Sequence, residues 1–259
     1  MGRSRAGGAR SVALVLVALT ALGGAQVSAG TARTTAGAPV RGIVALLNAS
    51  APQDHVFSAQ FCGGVLIEPQ VVLTAAHCVA GRDARSVQVL VGADRLCIGE
   101  PIDGIRRAAS RIDVHRSYDR ATGRFDLARV TLDEPVPAEW VRTVEAPSGA
   151  TEGALVLGWG VRPGTGIPSC RLMQTSVRTV DQESCRMFVD ADRPTFDPDA
   201  MFCATGADPG HAEACVGDSG GPLISGSDPR EGAVIGIISW GRGCRAGLPG
   251  VYARADAWP

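Results

Sequence analysis

Lysine is absent from this chain: its 25 basic residues are all arginines, set against 26 acids for a formal charge of -1. No basic run of the kind that binds nucleic acid or anionic lipid stands anywhere along it, which excludes both partner classes. Aromatics are scarce at 5%, so a core must be packed from small aliphatics within a 45% hydrophobic composition. No C-x-x-C occurs and His55, His77, His115 and His211 show no ligand pairing, so no metal site is expected. Internal repeats are missing too, and no second long apolar segment follows the first. No histidine follows Ser219.

What is present begins with an address. Arg3, Arg5 and Arg10 precede the apolar run Ser11–Leu22, and small residues end at Ala25. That pattern predicts a secretory signal peptide over 1–25, too short for the roughly 20 apolar residues of a membrane span. Export gives an oxidising context to an even set of cysteines: Cys62, Cys78, Cys97, Cys170, Cys185, Cys203, Cys215 and Cys244. Disulfides are the expectation, with a connectivity that counting alone leaves open.

Short strand-like runs recur at 42–47, 63–67, 71–76, 87–92 and 127–132, and again in "ALVLGWG", "TSVRTV", "PLIS" and "AVIGIISWG". Glycine and proline punctuate them, which argues for an all-β sandwich or barrel. A stretch rich in proline, alanine and acids, 134–153, reads as a linker between two β halves.

Ser219 lies in "GDSGG", a serine framed by glycines that let the backbone turn sharply and leave N–H groups free. A serine hydroxyl needs a base within hydrogen-bond reach to become a nucleophile. The same letters fit the G-x-S-x-G elbow of α/β-hydrolases, but that fold needs its histidine after the serine. Any triad here runs histidine, acid, serine. His77 ends the apolar run of "VVLTAAHC", and Asp126 opens another in "DLARV", where a carboxylate is otherwise out of place.

Together "TAAHC", "DLARV" and "GDSGGP", followed by "SWG" (239–241) and "PGVY" (249–252), resemble the trypsin/chymotrypsin-like serine proteases across about Gly42 to Arg254. The resemblance implies two six-stranded antiparallel β-barrels, 42–140 and 141–259, with the active site in the cleft between them. It implies a secreted serine endopeptidase in which His77 is the base, Asp126 orients it and Ser219 attacks. The N–H groups of Gly217 and Ser219 would form the oxyanion hole. His115 looks like a structural histidine of the family, and His55 and His211 like loop residues. By the same resemblance Cys62 pairs with Cys78, Cys185 with Cys203 and Cys215 with Cys244; Cys97 and Cys170 are paired by elimination.

Ser239, Trp240, Gly241 and Gly250 would line the substrate pocket, open at its two glycine positions, with Glu213 near its floor. An acid there implies preference for Arg or Lys before the scissile bond (P1), through charge complementarity. The alternatives are an apolar or mixed P1 preference, and a protease-like binding module without chemistry. Polypeptide substrates and protein protease inhibitors are the expected partners of a monomer with no cofactor and, once mature, no membrane attachment. Within the segment 26–41 the family's usual I/V-V-G-G start is missing. "VSAGTA" at Val27 is the nearest match for a freed N-terminus whose ammonium would pair with Asp218. The family's C-terminal helix is not matched by the residues after Arg254, which predicts less cover over the second barrel.

Overall fold

The computed structural model describes residues 1–2, 33–34, 40–147, 153–162, 165–191, 195–207, 214–244 and 247–258. Residues 3–25 of the expected signal peptide, Val27, His211 and Glu213 lie outside them.

Six antiparallel strands close the first barrel: β2 (Ile43–Asn48), β3 (Gln60–Glu68), β4 (Val71–Thr74), β5 (Val87–Val91), β6 (Ile105–Val114) and β7 (Ala128–Leu132), in the order β2-β3-β4-β7-β6-β5. β7 shows the period-two logic: Ala128, Val130 and Leu132 are buried while Arg129 and Thr131 are less so. β2 is buried almost throughout, because its outward face is also covered. The apolar run expected over 71–76 stops as a strand at Thr74; Ala76 opens a single helical turn, α2 (Ala76–Val79), after α1 (Val56–Ala59). β6 carries no apolar run, since nearly all its side chains keep solvent access.

The second barrel is a ring of β8 (Ala154–Gly158), β9 (Met173–Thr179), β10 (Met201–Gly206), β13 (Gly250–Arg254), β12 (Val234–Gly241) and β11 (Pro222–Ser225), which pairs back to β8. One helix, α3 (Gln182–Asp190), begins at Asp181, whose carboxylate accepts the Ser184 N–H. The N-terminal strand β1 (Arg33–Thr34) adds to the second barrel, opposite Met173 and Gln174 of β9.

Small aliphatics fill both interiors, and one continuous cluster runs from Val44 and Leu66 through Trp159 to Ile237, so the barrels share a packed boundary. Between them the chain crosses with backbone bonds to both barrels. Arg142 N–H reaches the Leu66 carbonyl, and Val234 pairs with Thr143 and Glu145. The buried Arg142 guanidinium donates to the carbonyls of Pro229, Arg230 and Gly232, which solvate it, and the Asp228 charge favours its cationic form. After β13 a single 3-10 turn, Ala255–Ala257, brings Trp258 back onto the first barrel, where Arg129 lies over its ring at 4.8 Å. No helix among the described residues is long and apolar enough to cross a membrane.

Four disulfides staple this frame: Cys62–Cys78, Cys97–Cys170, Cys185–Cys203 and Cys215–Cys244. The second joins the two barrels. Around it Leu96 N–H donates to the Cys170 carbonyl and Leu172 N–H to that of Asp94, and Arg171 meets Glu100 at 3.3 Å.

Candidate active site

β4 delivers its buried apolar residues to the core and then turns through α2, which lifts His77 to the surface with 33% of its side chain exposed. Asp126 sits in the connection between β6 and β7 with its side chain 4% exposed. Its carboxylate accepts three hydrogen bonds: from the His77 backbone N–H at 2.8 Å, from His77 Nδ1 at 2.7 Å and from Ser239 Oγ at 2.6 Å. A carboxylate facing Nδ1 places the ring proton there and leaves Nε2 as the acceptor. Ser239, expected in the substrate pocket, therefore also orients the acid.

Phe125 reaches φ 49, the one non-glycine residue in the left-handed region among those described. That conformation, costly for a side chain with a Cβ, turns the chain so that Asp126 points inward. The Phe125 ring stacks on His115 at 4.8 Å, and Trp258 meets His115 edge-on at 5.4 Å. His115 is itself buried; its Nδ1 accepts from Ser117 N–H. Burial holds its pKa below the usual 6.5, against a raising hydrogen bond to the Ala257 backbone. Expected as structural, His115 packs directly behind the residue that precedes Asp126.

The serine loop comes from the other barrel. Gly63 N–H on β3 donates to the Ser219 carbonyl at 2.7 Å, and a Cβ at Gly220 (φ 78) would collide with Thr74 Oγ1 and the Gly63 carbonyl and crowd Cys78 Sγ. Only glycine lets the loop lie against the Cys62–Cys78 bridge, next in sequence to His77. No hydrogen bond joins Ser219 Oγ to His77 Nε2, whose near neighbour is Cys78 Sγ at 3.7 Å; such bonds often tighten only around substrate. Among the described residues, neither Gly217 N–H nor Ser219 N–H has an acceptor.

Asp218 turns its carboxyl away from Ser219, between Gly158 and Gly160, where a Cβ at either glycine would overlap it. Gly160 N–H donates to one oxygen at 2.7 Å and Cys215 N–H to the other at 3.0 Å. Burial outweighs those two bonds and pushes its pKa up from 3.8 to about 6. The expected ammonium partner at Val27 lies outside the described residues.

Beside Ser219 opens a pocket of about 140 Å³ whose lining includes Ala214, Val216, Ser239, Trp240, Gly241 and Gly250. Gly241 and Gly250 stand opposite each other in the β12–β13 ladder, so neither wall carries a side chain at its mouth. The Cys215–Cys244 bridge closes one side. Cys62, His77 and Cys78 place donor atoms within 4.8 Å of one another, but both sulfurs are bonded and neither can supply a thiolate to a metal.

Two closed barrels sharing such a site define the double-barrel class of serine endopeptidases. The trypsin family model matches residues 33–258, and the chain belongs to the trypsin family. A trypsin of Saccharopolyspora erythraea is 34% identical over 218 residues, covering 80% of this chain and 90% of that one. Trypsin eta of Drosophila melanogaster is 37% identical over 202 residues, with 75% and 72% coverage. The solved structure of the Vibrio cholerae VesB protease superposes with a TM-score of 0.70 at 30% identity over 88% of this chain. This chain spans 64% of that Vibrio protein.

Reading the sequence missed Gln60, whose side chain reaches Gly217, and Gly158 and Gly160, which wall in Asp218. None belongs to a motif block; each matters through a contact that sequence spacing does not reveal.

Proposed function

We propose that this chain is a secreted endopeptidase that cleaves polypeptides through a His77–Asp126–Ser219 triad. The observation that carries the reading is the buried Asp126 carboxylate bonded to His77 Nδ1, opposite a serine loop with two N–H groups that have no acceptor among the described residues. Ser219 Oγ attacks the scissile carbonyl as its proton passes to His77 Nε2, while Asp126 stays ionised and stabilises the imidazolium. Gly217 and Ser219 N–H hold the tetrahedral oxyanion. His77 then gives the proton to the leaving amine, and water repeats the sequence on the acyl-enzyme. Glu213, two residues before Cys215 in the sequence, is assigned a preference for Arg or Lys at P1. Secretion rests on the signal-like residues 1–25, and activation on release of an N-terminus near Val27 for Asp218.

The test is a peptide library varied at P1, incubated with the secreted, N-terminally sequenced protein and with Ser219→Ala. Cleavage after Arg or Lys that the variant lacks supports the whole reading. Cleavage after apolar residues keeps the triad and removes Glu213 from its role. A protein whose N-terminus starts near Val27 and that neither cleaves nor is labelled at Ser219 by a fluorophosphonate is a binding module.

A further inference from the structure

We propose that Gln60, on the first barrel, is a positioning residue for the oxyanion-binding loop of the second. The inference rests on the reading of Ser219 as nucleophile. Gln60 is the first residue of β3 and pairs with Leu47; Cys62 pairs with Leu46, so Phe61 has no partner in β2 and forms a bulge. A bulge re-aims the side chains beside it. Here the Gln60 amide crosses the barrel boundary and its Nε2 donates to the Gly217 carbonyl at 3.0 Å.

The four consecutive carbonyls from Val216 to Ser219 are all engaged. Val216 accepts from Val161 N–H at 2.8 Å, Asp218 from Gly221 N–H at 2.9 Å and Ser219 from Gly63 N–H at 2.7 Å. Those three donors are backbone groups, supplied by the fold whatever the side chains are. The Gly217 carbonyl alone takes a side chain. Because a trans peptide is planar, with C=O and N–H pointing opposite ways, anchoring a carbonyl also aims the N–H of the same peptide. The Val216 anchor thus aims Gly217 N–H, and the Asp218 anchor aims Ser219 N–H; both are left without an acceptor among the described residues.

The peptide that joins these two is Gly217–Asp218. Its N–H donates to the Cys215 carbonyl at 3.0 Å and its carbonyl rests on Gln60. Gly217 lies at φ 99, in the left-handed region, and a glycine there is free to rotate on either side. A turn of this one peptide would swing the two donors apart, and the Gln60 bond opposes that turn. Together with the Asp218 N–H on the Cys215 carbonyl, the Gln60 bond keeps the pair of N–H groups converging on an oxyanion.

The test compares wild type with Gln60→Glu, which keeps shape and removes the donor, and Gln60→Met, which removes it without adding charge. In both variants kcat falls about tenfold, less than the loss of an oxyanion donor itself. KM stays within about twofold, the signature of an interaction felt in the transition state. Affinity for a peptidyl trifluoromethyl ketone, which forms a tetrahedral oxyanion on the serine, falls in parallel with kcat, while thermal stability is unchanged. Wild-type kcat in both variants overturns the assignment, as does a loss confined to Gln60→Glu, which would be a charge effect, or a loss in KM alone. Wild-type protein that neither cleaves nor labels overturns the nucleophile reading and this inference with it; an active wild type with indifferent variants overturns Gln60 only.

Discussion

Asp126 in the first barrel and Asp218 in the second both turn a carboxylate into the protein, and their surroundings treat the two charges differently. Asp126 receives three donors, one of them an imidazole that can itself become a cation. Asp218 receives two amides between two glycines, and burial raises its pKa to about 6. The first carboxylate is complete as it stands. The second is served, among the described residues, by two backbone dipoles alone. Both halves depend on contacts imported from elsewhere in the chain: Ser239 and Trp258 reach the histidine half, Gly63 and Gln60 the serine half.

The largest effect should come from the completed acid. Asp126→Asn keeps the geometry but favours the wrong His77 tautomer, and steady-state kinetics should show kcat lower by about 10⁴-fold. Loss of only a few-fold would mean that Asp126 merely supports the fold. The link between the halves comes next. Replacing Cys97 and Cys170 by serine opens a crosslink spanning 73 residues, and denaturant unfolding should show a loss of about 4 kcal/mol by chain entropy. Smaller losses, together with a separate transition for each barrel, would show that the shared apolar boundary is the weaker connection.

Asp218 gives the third. Its folded pKa stands above its unfolded value, so its contribution to stability is full below pH 3.8 and is lost as pH rises through about 6. Asp218→Asn escapes that loss, and the full-length variant should gain about 3 kcal/mol on wild type between pH 4 and 8, from two units at 1.36 kcal/mol each. Once an N-terminal ammonium docks, the carboxylate is favoured and the slope reverses; an unchanged slope after processing would remove Val27 from its proposed role.

The smallest effect belongs to His115. Its pKa is depressed by burial, so its contribution is present above pH 6.5 and lost as pH falls through the lower folded value. His115→Phe should flatten the acid limb of the stability profile; a limb as steep as wild type would assign it to other groups.

Much of the fold was legible because its signals are local. Val71–Thr74, Val87–Val91 and Ala128–Leu132 announce themselves as apolar runs, and glycine and proline mark their ends. β6 was not legible: a strand with one buried residue in ten offers no run to read, and it exists because β5 and β7 each need a partner for their backbone groups. Nor could spacing alone show that β1 joins the second barrel, or that Trp258 folds back onto the first.

The sequence by itself determined the chemical inventory, the order histidine, aspartate, serine and the glycines around Ser219, because motif identity is written in adjacent residues. Only the tertiary structure decided which groups meet: Ser239 on Asp126, Gln60 on Gly217, Gly158 and Gly160 against Asp218. These contacts join residues 58 to 157 positions apart. Barrel closure sets such distances, through strand register and bulges summed around the ring, and no local pattern encodes that sum.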